Sequence, residues 1–171
     1  MARIALLLGG NRGNVKQTLQ QAQKLINERV GAVMRCSNRY ETAPWGFDDP
    51  VSFFNQALEV STDLAPLEVL DTIQQIEDEL GRNRAAEQIE RAASGARYVA
   101  RPIDIDLIFY GSECIDHERL QVPHPLMAER EFVLAPLNEI MRQFRHPKSG
   151  LTVGEMLAEL RQKEQNNPKH A

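Results

Sequence analysis

Residues 103–110, IDIDLIFY, constrain this chain more than any other stretch. Strand side chains alternate between faces, so Ile103, Ile105, Leu107 and Phe109 are expected on one face. Asp104, Asp106, Ile108 and Tyr110 then share the other. Aspartate is a poor strand residue, and two like charges two positions apart repel. The apolar face demands a packed layer beneath the strand, and the acidic pair demands a positive partner above it. One reading of the pair is a divalent cation site, because hard carboxylate oxygens suit Mg²⁺. The other is the solvated outer face of an antiparallel strand.

The surrounding pattern supplies a sheet for this strand. Residues 3–8 read as a buried strand, followed by the turn 9–14. Over 15–28, Val15, Leu19, Ala22, Leu25 and Ile26 fall on one helical face. Strands are expected over 32–40 and 53–61, with a Pro-rich and Asp-rich loop over 41–52 between them. Pro66 suits a first helical turn, and Leu67, Leu70, Ile73, Ile76 and Leu80 form the apolar stripe of a helix over 66–80. The order β-α-β-β-α-β predicts an α+β fold of the ferredoxin-like kind, an antiparallel sheet with helices on one face. Beyond Tyr110, a short helix, turns and a last helix over 153–161 are expected as C-terminal additions.

At 171 residues the chain suits one domain with a substantial core. Its net charge of −4 argues against a general nucleic-acid or membrane-surface binder. No apolar run has the length of a membrane span. Cys36 and Cys114 show no disulfide spacing and read as reduced, buried thiols of a cytoplasmic protein.

A second constellation precedes the acidic strand. Arg82, Arg84, Arg91, Arg97 and Arg101 lie within 81–101, against only Glu87 and Glu90. Guanidinium forks match phosphate oxygens in pairs, so the segment suits a polyphosphate, although any one arginine is as easily a surface charge. Read as a loop without regular structure, the segment is long enough to be a functional lid. No Walker-type phosphate loop and no G-x-G-x-x-G occurs, so arginines and a metal would have to hold any nucleotide. Phe53, Phe54 and Phe132 offer flat apolar faces, more often core than ligand platform. Asn55 beside them is less expected, because a buried amide needs partners. His124 sits between two prolines. A sheet of this kind also suits RNA binding, but the basic and aromatic pattern of that class is absent. A metal-dependent phosphohydrolase would use the same aspartates and arginines.

Taken together, LLLGGNRGN, YETAPWG, FFNQALEV, IQQIEDELGRNR, RPIDIDLIFYG and VPHPLMAEREFVLAPLNEI resemble, in order, the 6-hydroxymethyl-7,8-dihydropterin pyrophosphokinase family of folate biosynthesis. The resemblance runs from about residue 4 to 140. It implies an ATP-dependent diphosphokinase that transfers pyrophosphate from ATP to the pterin hydroxymethyl oxygen and releases AMP. It implies two Mg²⁺ ions at Asp104 and Asp106, with Arg82 and Arg101 balancing charge in catalysis. It implies ATP contacts from Gln74, Glu77, Arg82, Arg84, Arg97, Tyr98, Arg101, His124 and Arg130. It implies a pterin stacked between Phe53 and Phe132 and read by Asn55 and by groups around Thr42, Pro44 and Trp45. A single pyrophosphokinase domain is then expected over 1–162, with a disordered tail over 163–171, as a cytoplasmic monomer. The chain departs from the family pattern at Gly10, usually serine, and at Phe53, often tyrosine. It departs also at Tyr98-Val99-Ala100, where Trp-Gly-Pro is common, and in the length of the 84–101 loop.

Overall fold

A computed structural model describes residues 1–42, 52–94 and 102–166. Four strands form the central antiparallel sheet: β1 (Ala2–Gly10), β2 (Gly31–Cys36), β4 (Phe53–Thr62) and β5 (Asp104–Tyr110), in the order β2-β4-β1-β5. A short β3 (Tyr40–Thr42) extends the outer edge of β4. The expected strand over 32–40 is thus two pieces, broken where Ser37 turns its side chain inward to accept from Ala57 N–H. Helices α1 (Val15–Arg29) and α2 (Pro66–Glu79) complete the β-α-β-β-α-β order.

Local chemistry sets the helix starts. Asn14 Oδ1 accepts from Gln17 N–H at 3.2 Å, satisfying an otherwise orphaned donor of α1. Pro66 opens α2, where its missing N–H costs nothing, and Glu68 accepts from Ala65 N–H at 2.9 Å. Val15, Leu19, Ala22 and Ile26 of α1, with Val69, Ile73 and Ile76 of α2, bury against Ile4, Leu6, Leu8, Leu58 and Val60. Burying each large aliphatic side chain contributes roughly 1.5–3 kcal/mol.

Helices cover both faces of the sheet rather than one. Helix α4 (Glu131–Met141) and helix α5 (Val153–Gln165) pack on the second face, against Ala5, Leu7, Ala57, Ile108 and Phe109. Thr152 and Glu155 cap α5 reciprocally, at 3.1 and 2.9 Å, and the helix runs to Gln165, past the end expected for it. A hairpin of β6 (Ile115–His117) and β7 (Leu120–Val122) fills the stretch read as irregular. Helix α3 (Arg84–Ser94) occupies much of the segment read as an unstructured lid. Both cysteines are exposed, not buried.

The strand that opened the sequence reading carries a bulge. Ala5 pairs with Phe109 but Leu6 pairs with Leu107, so Ile108 is an extra residue. Ile103, Ile105 and Leu107 pack toward α1 and α2 as expected. Past the bulge the faces exchange: Phe109 joins Ile108 on the second face, and Tyr110 joins the first. Phe109 then stacks on Phe144 at 4.7 Å between ring centroids. The Ile108 carbonyl accepts from His124 N–H at 3.0 Å, anchoring that residue to the strand.

Candidate active site

The second face is covered by α4 and α5 only in part. Toward the Gly9 end of β1, one cross-strand row reads Tyr40, Asn55, Gly9, Asp104 across β3, β4, β1 and β5. The next row on that face reads Ala57, Leu7, Asp106. Asn55 and Asp104 therefore sit two strand spacings apart, roughly 10 Å, with only a glycine between them. A Cβ at Gly9 would lie 2.6 Å from Phe53 Cε1 and 2.8 Å from Asn55 Oδ1. Phe53, Asn55 and Asp104 thus converge on a trough whose floor is bare backbone, and Gly9 is a site residue the sequence reading did not single out.

Asn55 is 2% exposed, and its Nδ2 has no hydrogen-bond partner among the described residues. A buried amide donor left unpaired costs about 1–3 kcal/mol, so the fold holds this one ready for an acceptor. Thr42 Oγ1 donates to the Phe53 carbonyl at 3.3 Å and ties β3 to the start of β4. Glu139 of α4 holds β3 from the other side, accepting from Tyr40 Oη at 2.7 Å and from Asn38 N–H at 3.0 Å. Burial, then that carboxylate, push the Tyr40 hydroxyl up to about 12, so the phenol stays a donor. Phe132, near the start of α4, is partly buried against the second-face core, and the Arg130 guanidinium lies 5.5 Å from its ring centroid.

The acidic end of the trough has the positive partner its charges require. Asp104 and Asp106 are both half-buried. Arg82 NH1 donates to Asp104 Oδ1 at 3.0 Å and to Glu77 Oε2 at 2.7 Å. Its Nε and NH2 edge donates to Glu87 of α3, with Nε to Oε2 at 3.1 Å. Burial alone would lower the Arg82 pKa, but Asp104, Glu77 and Glu87 together raise it above the ordinary value. Gly81 makes this placement possible. Its φ of +98° ends α2 in a turn that L side chains resist, and Arg82 N–H returns to the Glu77 carbonyl at 3.1 Å.

Glu77, 2% exposed, also accepts from Ile105 N–H at 2.8 Å, the strand amide between the two aspartates. Through these bonds Glu77 ties Arg82 and β5 to α2. Gln74 is half-buried one turn earlier on α2. His124 Nδ1 accepts from Leu126 N–H at 3.3 Å, which leaves the ring proton of the neutral form on Nε2. Burial, then the Arg130 charge, lower the His124 pKa against the opposing pull of Asp104. Among the described residues no cluster of three or more His, Cys, Asp or Glu is arranged to hold a metal by itself. Two hard carboxylates on one strand face, Asp104 and Asp106, are the kind of donor pair that fits Mg²⁺, which completes its shell with water and phosphate oxygens. Pro44, Trp45, Arg97, Tyr98 and Arg101 lie outside the described residues.

Comparison with known proteins converges on one family. The family described as 7,8-dihydro-6-hydroxymethylpterin-pyrophosphokinase (HPPK) matches residues 5–142. A 2-amino-4-hydroxy-6-hydroxymethyldihydropteridine pyrophosphokinase of Bacillus subtilis is 42% identical over 139 residues, 81% of this chain and 77% of that protein. The protein of the same name from Porphyromonas gingivalis is 35% identical over 150 residues, 87% of this chain and 97% of that protein. Among solved structures, Plasmodium falciparum HPPK-DHPS superposes with a TM-score of 0.76 at 16% identity, over 99% of this chain and 45% of that one. That likeness concerns the fold, while the sequence relatives carry the family. The trough, the acidic pair and these relatives agree: the chain belongs to the 7,8-dihydro-6-hydroxymethylpterin-pyrophosphokinase family.

Proposed function

We propose that this chain runs its family's reaction along the trough from Phe53 to Asp106, with the residues in the roles below. The reaction moves pyrophosphate from ATP to the hydroxymethyl oxygen of 6-hydroxymethyl-7,8-dihydropterin, a diphosphokinase step of folate biosynthesis. The observation that carries the assignment of roles is the Asn55–Gly9–Asp104 row: a buried, unpartnered amide faces the acidic pair across a bare floor.

The pterin lies over Gly9, its polar edge on Asn55 and the groups near Thr42, its ring between Phe53 and Phe132. Pro44 and Trp45 belong to the same end. This pose directs the hydroxymethyl group toward Asp104. Asp104 and Asp106 would hold Mg²⁺, two ions once ATP is present, supplying charge neutralisation on the polyphosphate and a template for in-line attack. The hydroxymethyl oxygen bonds to the β-phosphorus while its proton passes to water, the bond from the β-phosphorus to the α–β bridging oxygen breaks, and AMP leaves with that oxygen. Arg82 and Arg101 balance charge on the transferred group, a contribution of several kcal/mol in comparable sites. Gln74, Arg84, Arg97, Tyr98, His124 and Arg130 complete the ATP side, and His124 donates from Nε2. Glu77 acts through Arg82 and the strand amide. Positioning and charge neutralisation are what phosphoryl-type transfer chiefly needs.

The same proposal takes the chain to be a cytoplasmic monomer. Among the described residues no helix is long and apolar enough to cross a membrane. The deciding experiment measures AMP release from ATP with and without 6-hydroxymethyl-7,8-dihydropterin. AMP should form only with the pterin. AMP or ADP formed equally without it would refute the transferase in favour of a phosphohydrolase.

A further inference from the structure

Helix α3 is docked the wrong way round for an amphipathic helix. Its apolar side chains are Ala85, Ala86, Ile89, Ala92 and Ala93, and every one is exposed, Ile89 at 71%. The residue it buries is Glu87, only 7% exposed. The hydrophobic effect would seat such a helix on Ile89, so something else holds it. Among the described residues its other side-chain tie to the rest of the chain is Arg12 to Glu90 at 3.4 Å, between two exposed groups and therefore weak. What remains is the contact of Glu87 with the Nε and NH2 edge of Arg82.

That guanidinium is shared between two duties. The NH1 corner lies on Asp104 and Glu77, and the Nε edge lies on Glu87. A metal-bound polyphosphate arriving at Asp104 competes for the NH1 corner and leaves the Nε edge where it is. A planar, five-donor group held by one edge keeps its plane while its other corner changes partner. Burying a carboxylate is costly unless it is paired and hydrogen-bonded, and Glu87, 7% exposed, offsets that cost through the Arg82 guanidinium.

We propose that Glu87 is a positioning residue for the transfer reaction: it fixes the plane of Arg82 beside Asp104 and, by the same contact, seats α3 against Arg82. This rests on the reading above that Arg82 acts on the transferred group. In that reading α3 is anchored by the catalytic arginine itself, so its position follows the state of the acidic pair.

The test is a cycle of four proteins: wild type, Glu87→Gln, Arg82→Met and the double variant. In the ligand-free chains, hydrogen exchange of the 84–94 amides should quicken roughly tenfold in either single variant and no further in the double. In single-turnover reactions with saturating MgATP and pterin, Glu87→Gln should slow transfer roughly tenfold in the wild-type background and not at all in the Arg82→Met background. Affinity for a non-hydrolysable ATP analogue with Mg²⁺ should move much less than the transfer rate. Glu90→Gln, which cuts the other tie of α3, serves as the structural control and should show no dependence on Arg82. Glu87→Met replaces Glu87→Gln should that variant not fold. Independent, additive losses in the rate cycle, or unchanged exchange of 84–94 in Glu87→Gln, would overturn the proposal. Wild-type protein that releases no pterin-dependent AMP would instead sink the functional reading, and the exchange cycle would still decide the contact.

Discussion

Gly9→Ala adds one methyl group to the floor of the trough, and the structure says what it meets. The new Cβ would stand 2.6 Å from Phe53 Cε1, 2.8 Å from Asn55 Oδ1 and 3.2 Å from the Phe54 carbonyl. Carbon atoms pack at about 3.5–4.0 Å, so the Phe53 ring must retreat by about 1 Å and the Asn55 oxygen by about half that. The ring is half-buried and can swing, whereas Asn55 is enclosed. Overpacking of this kind costs about 1–3 kcal/mol. Against it, alanine loses about 0.5–1 kcal/mol less backbone entropy than glycine in a strand. The net loss of stability should be about 1–2 kcal/mol, which a small domain tolerates. Pterin binding should suffer more. Shifting the Asn55 amide off its line forfeits a buried hydrogen bond worth about 1–3 kcal/mol, or a 5- to 150-fold rise in Kd. Affinity for MgATP analogue should hold within about twofold, the usual limit for independent sites. Calorimetric titration of each ligand separately, beside a urea unfolding curve, measures all three quantities. If pterin and nucleotide affinity fall together, or if pterin affinity does not change, the bare floor at Gly9 is not what admits the pterin.

Four further outcomes are expected. Asp104→Ala and Asp106→Ala should each lower turnover by more than about 10³-fold with unfolding midpoints near wild type, and near-normal rates at saturating Mg²⁺ would remove the metal assignment. Asn55→Ala should weaken pterin binding by roughly 5- to 150-fold and nucleotide binding hardly at all, again read by calorimetry. Arg91 is exposed on α3, so Arg91→Ala should leave single-turnover rates within about twofold, and a loss matching Arg82→Ala would contradict the division of the arginines. Burial, then Lys148, hold the His146 pKa below its ordinary value, so below about pH 6.5 the unfolded chain binds the extra proton and stability falls with pH. His146→Gln should therefore flatten the drop in urea midpoint between about pH 7.5 and 5.5, and a profile parallel to wild type would refute that origin.

Most of the scaffold was legible in one dimension because its signals are local. The stripe Val15–Leu19–Ala22–Ile26 is buried where its spacing placed it, and Pro66 opens α2. The alternation over 103–107 puts both aspartates on one face, and Arg82, held at Asp104 from the end of α2, is a contact that strand alternation does not foretell. Other features depended on partners far along the chain. Nothing within 103–110 marks Ile108 as a bulge, because a bulge is a mismatch of register against β1, so Phe109 was assigned to the wrong face. The cover of α4 and α5 on the second face was missed because an apolar helix does not say which surface it will find. Segment 84–94 was read as a lid without structure because its burial pattern is inverted: its seat is an ion pair to Arg82, which hydrophobic periodicity cannot reveal. Sequence by itself determined which groups are available, two aspartates, an asparagine and a run of arginines. Only the antiparallel register decided that Asn55, Gly9 and Asp104 lie in one row. A one-residue slip of either β4 or β5 against β1 would turn its polar side chains to the opposite face, and the trough exists only where both registers agree.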